Sequence, residues 1–352
     1  MKILIKMNNL TNLKNKGQSI WLDSISKQMI DSGDLKKIID EGVTGITSNP
    51  SIFEKAISST NSYDSIIEKS IMSTKNPKDI FELIASNDVK HGADLLYETY
   101  ESTNNDDGYV SLEVDPSLAN NKDKTIEEAL KLWKLVDRPN LMIKIPGTNS
   151  GIDATKILLE MGININVTLL FSFKSYQNTL NAFIESRLKN KKSRSVASFF
   201  ISRIDTAADS ELDKNSNHFH KIAISNAYNA YNYFNENRSK MDQNFQKLLW
   251  ASTSVKAEDL DQDYYCINLP MKNTVNTLPP ETLNYLLKSK TLENSSLNNF
   301  EHYSNILSEA EKFINLDDIT SHLLINGIDL FEKSYNSLLE KIDEKIKKFS
   351  RT

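Results

Sequence analysis

Lys144 stands alone among Leu141, Met142, Ile143 and Ile145. Burying a charged amine in such an apolar strand is costly. Burial favours the neutral amine, which is the nucleophile that Schiff-base chemistry requires. By itself the pattern also fits a lysine that snorkels from a strand end, or one paired with an acid such as Glu113. Polar residues on two other segments turn the reading towards the nucleophile. Side chains of a strand alternate between faces with period two. Ser111, Glu113 and Asp115 therefore share one face of a strand, opposite Val110, Leu112 and Val114. Asn164, Asn166 and Thr168 share a face opposite Ile163, Ile165, Val167 and Leu169. Dehydrating a carbinolamine needs a proton donor and a positioned water, and Glu113 and Thr168 carry suitable groups. Breaking a carbon–carbon bond needs a base for a hydroxyl proton. Asp23 ends a strand on the face of Trp21 and is a candidate, with a helix N-cap as its other reading. Asn49 precedes Pro50, where turn chemistry alone would also explain it.

These residues need a scaffold. The chain repeats short strand, turn and amphipathic helix. The expected strands are Ser19–Asp23, Thr44–Ser48, Gly108–Asp115, Leu141–Ile145, Ile163–Phe171, Ser195–Ile204, Lys247–Ser252 and a weaker Tyr264–Leu269. Asp34 reads as a helix N-cap, and Asn76-Pro77 as the start of a long helix. Thr125 and Glu128 read as a capping box. Eight strands alternating with helices predict a parallel sheet, and the count suits a closed (β/α)8 barrel of the α/β class. Polar strand faces would then converge inside it, near the C-terminal strand ends. The alternative, a doubly wound open sheet, lacks its Gly-rich turn after the first strand. A barrel of this kind takes roughly 250 residues. The surplus is accounted for by an N-terminal extension at 1–17, an enlarged region at 206–246 and helices from about 281, with 18–352 as a single domain.

Composition narrows the function. The chain has 352 residues, 39% hydrophobic and 25% charged, an ordinary globular balance. A net charge of −5 argues against a nucleic-acid partner. No apolar run reaches the roughly 18 residues of a membrane helix. The single cysteine, Cys266, leaves neither an internal disulfide nor a multi-cysteine metal site. His218 and His220 are the only close histidines, and they read as surface residues rather than metal ligands. The N-terminal lysines lack the arginines, serines and cleavage pattern of a targeting segment, so a cytosolic protein is expected.

At this point the motifs resemble the transaldolase family, in its longer bacterial-type form. The matching strings are WLDSISKQMI (21–30), GVTGITSNPSIF (42–53), GYVSLEVDPSLA (108–119) and RPNLMIKIPGT (138–148). They continue with GININVTLLFS (162–172), SVASFFISRIDTA (195–207), LLWASTSVK (248–256) and NTVNTLPPETL (273–283). The resemblance implies a Schiff-base lysine at Lys144 and an acid–base aspartate at Asp23. It implies that Glu113 works with a catalytic water that Thr168 helps to hold. Asn49 and Asn166 would bind hydroxyls of a dihydroxyacetone unit, Ser198 the substrate, and Arg203 its phosphate. Many members complete the phosphate site with an arginine after the seventh strand. Here Ser252 and Lys256 take that place, Lys256 resembling the lysine usual in the longer form. Phe200 stands where relatives that use free dihydroxyacetone tend to carry Tyr, which favours transfer over simple cleavage. The implied partners are small sugar phosphates, with no cofactor and no metal, in a monomer or homodimer. The rival readings are a Schiff-base aldolase without transfer and a non-catalytic sugar-phosphate-binding barrel.

Overall fold

Inward and outward side chains alternate along the strands except at one irregularity in the fifth, and apolar residues dominate the outward set. Ile143, Ile145, Ile165, Val167, Ala197 and Phe199 are fully buried under the helices. The computed structural model describes residues 9–289 and 300–350. Its eight parallel strands are β1 (Gln18–Leu22), β2 (Gly45–Ile46), β3 (Val110–Glu113), β4 (Leu141–Pro146), β5 (Ile165–Leu170), β6 (Ser195–Phe200), β7 (Lys247–Ala251) and β8 (Thr274–Leu278). They pair in sequence order, and β8 returns to pair with β1. The sheet is the expected closed (β/α)8 barrel, with no free edge.

One end of the barrel is plugged. The Trp21 indole points inward from β1 and donates to Asp107 Oδ1 at 2.8 Å. Gly45 on β2 makes room for it, since a Cβ there would lie 2.4 Å from the ring. The polar inward residues cluster towards the other end. Register sets them in a row: Glu113 lies opposite Lys144, and Lys144 opposite Asn166.

Several local expectations need correction. The eighth strand is Thr274–Leu278, and Tyr264–Asn268 is a short helix. The aromatic run at 264–265 mimics a strand, whereas TVNTL looks too polar to be one. Its polar groups are satisfied inside the fold: Thr277 bonds Thr47 at 2.7 Å, and Asn276 Oδ1 accepts from Thr253 at 3.1 Å. The sixth strand ends at Phe200, and a helix begins at Ser202. Ile201 and Ile204 continue the apolar run but bury themselves around that helix start. Gly33, not Asp34, is the N-cap of helix Asp34–Asp40. Thr125 and Glu128 form no capping box. Asn121 caps helix Lys122–Val136, and Glu128 instead accepts from the Asp115 amide at 2.7 Å and pairs with Lys78 at 2.8 Å. That network braces the chain just past Glu113. His218 and His220 are not free surface histidines: His218 faces Glu309 at 3.3 Å, and His220 faces Asp209 at 2.7 Å.

The helix Asn9–Asn15 buries Leu10 and Leu13, and the Asn9 amide bonds Leu286 O at 2.8 Å. The rest of the N-terminal extension, 1–8, lies outside the described residues. At the far end of the chain, the 34-residue helix Leu316–Phe349 packs on helices Pro50–Ser59, Pro77–Leu95 and Ser202–Asp209 and on β5. Its contact with β5 is local. Register shifts between Val167 and Leu170, and Leu169 takes a φ of 58° there. This bulge pushes the Leu169 side chain against Gly327, where a Cβ would sit 3.0 Å from it.

Candidate active site

A cavity of about 240 Å³ opens among the C-terminal strand ends. Asp23, Asn49, Lys144, Thr168, Ser198, Arg203, Ser252 and Lys256 line it. Glu113 and Asn166 complete the sequence-derived set just outside that lining. A second cavity of about 340 Å³ adjoins the first and shares Asp23, Asn49, Ser51 and Pro279 with it.

Lys144 is at the inner end. Its Nζ donates to the Ser48 carbonyl at 3.0 Å and lies 3.2 Å from Glu113 Oε2. Both side chains are nearly inaccessible, at 6% and 4%. Burial pushes the Glu113 carboxyl up to about 7, against the attraction and hydrogen bond of Lys144 and with a push from Asp23. A carboxyl tuned to that range is suited to proton donation near neutral pH. Glu113 Oε1 and Thr168 Oγ1 are buried with no hydrogen-bond partner among the described residues. Buried polar atoms of this kind call for a ligand group or a water.

Asp23, half-buried at the end of β1, accepts from Thr47 Oγ1 at 2.6 Å. Burial raises its carboxyl, while Lys144 and the Thr47 hydrogen bond pull it back. Asp23 caps no helix; Ser26 caps the one that follows. Asn49 does serve as a cap: its Oδ1 accepts from Ile52 N at 3.1 Å and from Ser51 Oγ at 2.6 Å. Its Nδ2 remains for the cavity. The turn reading of Asn49 is therefore met by the oxygen end of the amide, and the residue also lines the cavity.

Asn166 is fully buried, one row below Thr168. Its Nδ2 donates to Ser111 at 3.0 Å, and its Oδ1 accepts from Ser198 Oγ at 2.7 Å. It meets the cavity through Ser198, which is one of the lining residues.

The cations sit on the β6–β7 side. Arg203 falls in the first turn of helix Ser202–Asp209, with its Cζ 5.5 Å from the centre of the Phe200 ring. Burial lowers its pKa, and it has no carboxylate partner among the described residues. A half-buried guanidinium without a counter-ion is set for an anion. Ser252 has a φ of 55° and bonds Ser202 Oγ at 3.2 Å. Ser254 and the exposed Lys256 follow it on the rim.

The helix bearing Arg203 is anchored by a buried acid. Asp205 accepts from Ala223 N at 2.7 Å and from the Tyr265 hydroxyl at 2.9 Å. Burial pushes its carboxyl from 3.8 up to about 7, against those two hydrogen bonds. The folded protein then keeps a proton that the unfolded chain has already released, so stability falls as pH rises through that window. Three pKa units correspond to at most ~4 kcal/mol. Asp205→Asn is expected to flatten this fall. Urea unfolding at pH 5 and pH 8 measures it, and parallel slopes in wild type and variant would contradict it.

Sequence reasoning missed Thr47, Ser254, Thr277 and Phe331, all of which line the cavity. Period-two alternation from Gly45 would have pointed Thr47 inward. Nothing local marks Phe331, which arrives from the C-terminal helix.

Fold and site together define a (β/α)8-barrel enzyme with a lysine-centred cavity. The family model for transaldolase/fructose-6-phosphate aldolase matches residues 20–342. The chain belongs to that family. Its relatives include the transaldolase of Trichodesmium erythraeum, 39% identical over 97% of this chain and 99% of that protein. Transaldolase 2 of Streptomyces coelicolor is 36% identical over 97% and 98%. The transaldolase of Mycobacterium leprae is 34% identical over 96% of both.

Proposed function

We propose that the chain is a transaldolase. It moves a dihydroxyacetone unit from sedoheptulose 7-phosphate to glyceraldehyde 3-phosphate, giving erythrose 4-phosphate and fructose 6-phosphate. The observation that carries this reading is Lys144 Nζ, 3.2 Å from Glu113, at the inner end of a cavity with Asp23 on its wall and Arg203 at its rim.

The deprotonated amine of Lys144 attacks the C2 carbonyl. Glu113 delivers a proton through a water held by Thr168, water leaves the carbinolamine, and an iminium forms. Asp23 takes the C4 hydroxyl proton and the C3–C4 bond breaks. The electron pair flows into the iminium, which becomes an enamine, so no step calls for a metal or cofactor. Erythrose 4-phosphate leaves. The enamine C3 attacks the aldehyde of glyceraldehyde 3-phosphate, Asp23 returns its proton to the new hydroxyl, and water releases fructose 6-phosphate. Asn49 Nδ2 and Ser198 hold hydroxyls of the three-carbon unit, and Asn166 orients Ser198. Arg203, Ser252 and Lys256 bind the phosphate.

Arg203→Ala is expected to raise the KM for fructose 6-phosphate about 10- to 100-fold, the worth of ~1.5–3 kcal/mol for bonds to a charged group. Lys256→Ala should raise it less, because an exposed lysine acts as a screened point charge. An unchanged KM in both would move the phosphate elsewhere.

We place this activity in the non-oxidative pentose phosphate pathway of the cytosol, in a monomer or homodimer. No described helix is long and apolar enough to cross a membrane. The test is acceptor dependence. Fructose 6-phosphate should turn over continuously only with an aldose phosphate acceptor present. Steady release of free dihydroxyacetone without one would favour a simple aldolase.

A further inference from the structure

The C-terminal helix brings an aromatic ring to the reacting nitrogen. Phe331 is 8% exposed, lines the cavity, and holds its ring centre 5.5 Å from Lys144 Nζ. The nearer contacts of that nitrogen, Ser48 O at 3.0 Å and Glu113 at 3.2 Å, are polar. The ring is held from both sides. One turn before it, Gly327 rests on the Leu169 bulge. One turn after it, Tyr335 meets Phe81 edge-on at 5.6 Å. Further along, Ser337 donates to Glu54 Oε1 at 2.5 Å, tying this helix to Pro50–Ser59.

No proton transfer in the proposed cycle uses a phenyl ring, yet the cycle has one step at which an apolar cover matters. After the first aldose phosphate departs, an enamine waits on Lys144. Water can end the cycle there. A proton from water adds to C3, a second water adds at C2, the Nζ–C2 bond breaks, and free dihydroxyacetone leaves a regenerated amine. Excluding water from a reactive intermediate suppresses such side reactions.

We infer that Phe331 shields the enamine on Lys144 from water, and so sets the ratio of transfer to hydrolysis. This rests on the transaldolase reading. Phe331 is a shielding residue that takes no proton and forms no bond. The shield belongs to a segment remote in sequence from every motif of the barrel.

The test measures free dihydroxyacetone against sedoheptulose 7-phosphate, formed from fructose 6-phosphate with erythrose 4-phosphate as acceptor. The ratio is internal to each turnover and does not depend on how much enzyme is folded. Phe331→Ala should raise hydrolysis relative to transfer at least about fivefold by admitting water. Phe331→Leu keeps apolar bulk and should stay within about twofold of wild type. Should the alanine variant fail to fold, Phe331→Val must show a rise of at least about twofold. An unchanged ratio in a variant that still transfers overturns the inference and leaves the transaldolase reading intact. A leucine variant as leaky as the alanine variant also overturns it, since the effect would then belong to the ring's π face. Absence of transfer in the wild type would instead sink the reading on which the inference rests.

Discussion

Lys144→Met is expected to lower dihydroxyacetone transfer by on the order of 10⁴-fold or more, as loss of a covalent nucleophile does when the rest of the machinery cannot act without it. Binding should survive, because Arg203, Lys256, Ser198 and Asn49 are untouched. The KM-independent readout is fructose 6-phosphate binding by calorimetry, expected within about tenfold of wild type. The fold should survive too. Methionine keeps most of the buried volume, and loss of the lysine removes the influence that pulls the Glu113 carboxyl down. Glu113 then holds its proton at neutral pH and is buried uncharged. Transfer within tenfold of wild type would show that the amine is a structural partner of Glu113 and nothing more.

The second large effect is at Asp23. Asp23→Asn is nearly isosteric and can still accept from Thr47, but an amide takes no proton. Loss of a general base costs about 10²- to 10⁴-fold. The signature lies in which intermediate accumulates. Lys144 and Glu113 remain, so the iminium should form while the C3–C4 bond stays intact. Borohydride reduction of the variant with fructose 6-phosphate should then attach a six-carbon phosphorylated unit, where wild type retains three carbons. A three-carbon adduct formed at the wild-type rate would relieve Asp23 of its role.

Much of this was legible in the sequence, for a physical reason. A closed parallel barrel buries both faces of its strands, so inward polar residues are conspicuous against an apolar background. Glu113, Lys144 and Asn166 stand out for that reason, and register sets them side by side on β3, β4 and β5. What the sequence hid obeys other rules. β8 reads Thr-Val-Asn-Thr-Leu, and much of its polarity is met by partners distant in sequence: Gln18 on Thr274, Thr47 on Thr277 and Thr253 on Asn276. The end of β6 looked longer because Ile201 and Ile204 stay apolar after the chain turns helical. Glu128 resembled a capping residue but bonds Asp115 and Lys78, a tertiary choice that spacing does not reveal. Phe331 comes from the C-terminal helix, 187 positions after Lys144 by sequence number. No periodicity within either element connects the two.

The proposed reaction turns on an imine between Lys144 and the substrate's carbonyl. Borohydride added to wild-type protein with fructose 6-phosphate, followed by peptide mass spectrometry, tests it most directly. One reduced dihydroxyacetone adduct is expected, on the peptide containing Lys144. A folded protein that acquires no adduct, or acquires it on another lysine, would contradict it.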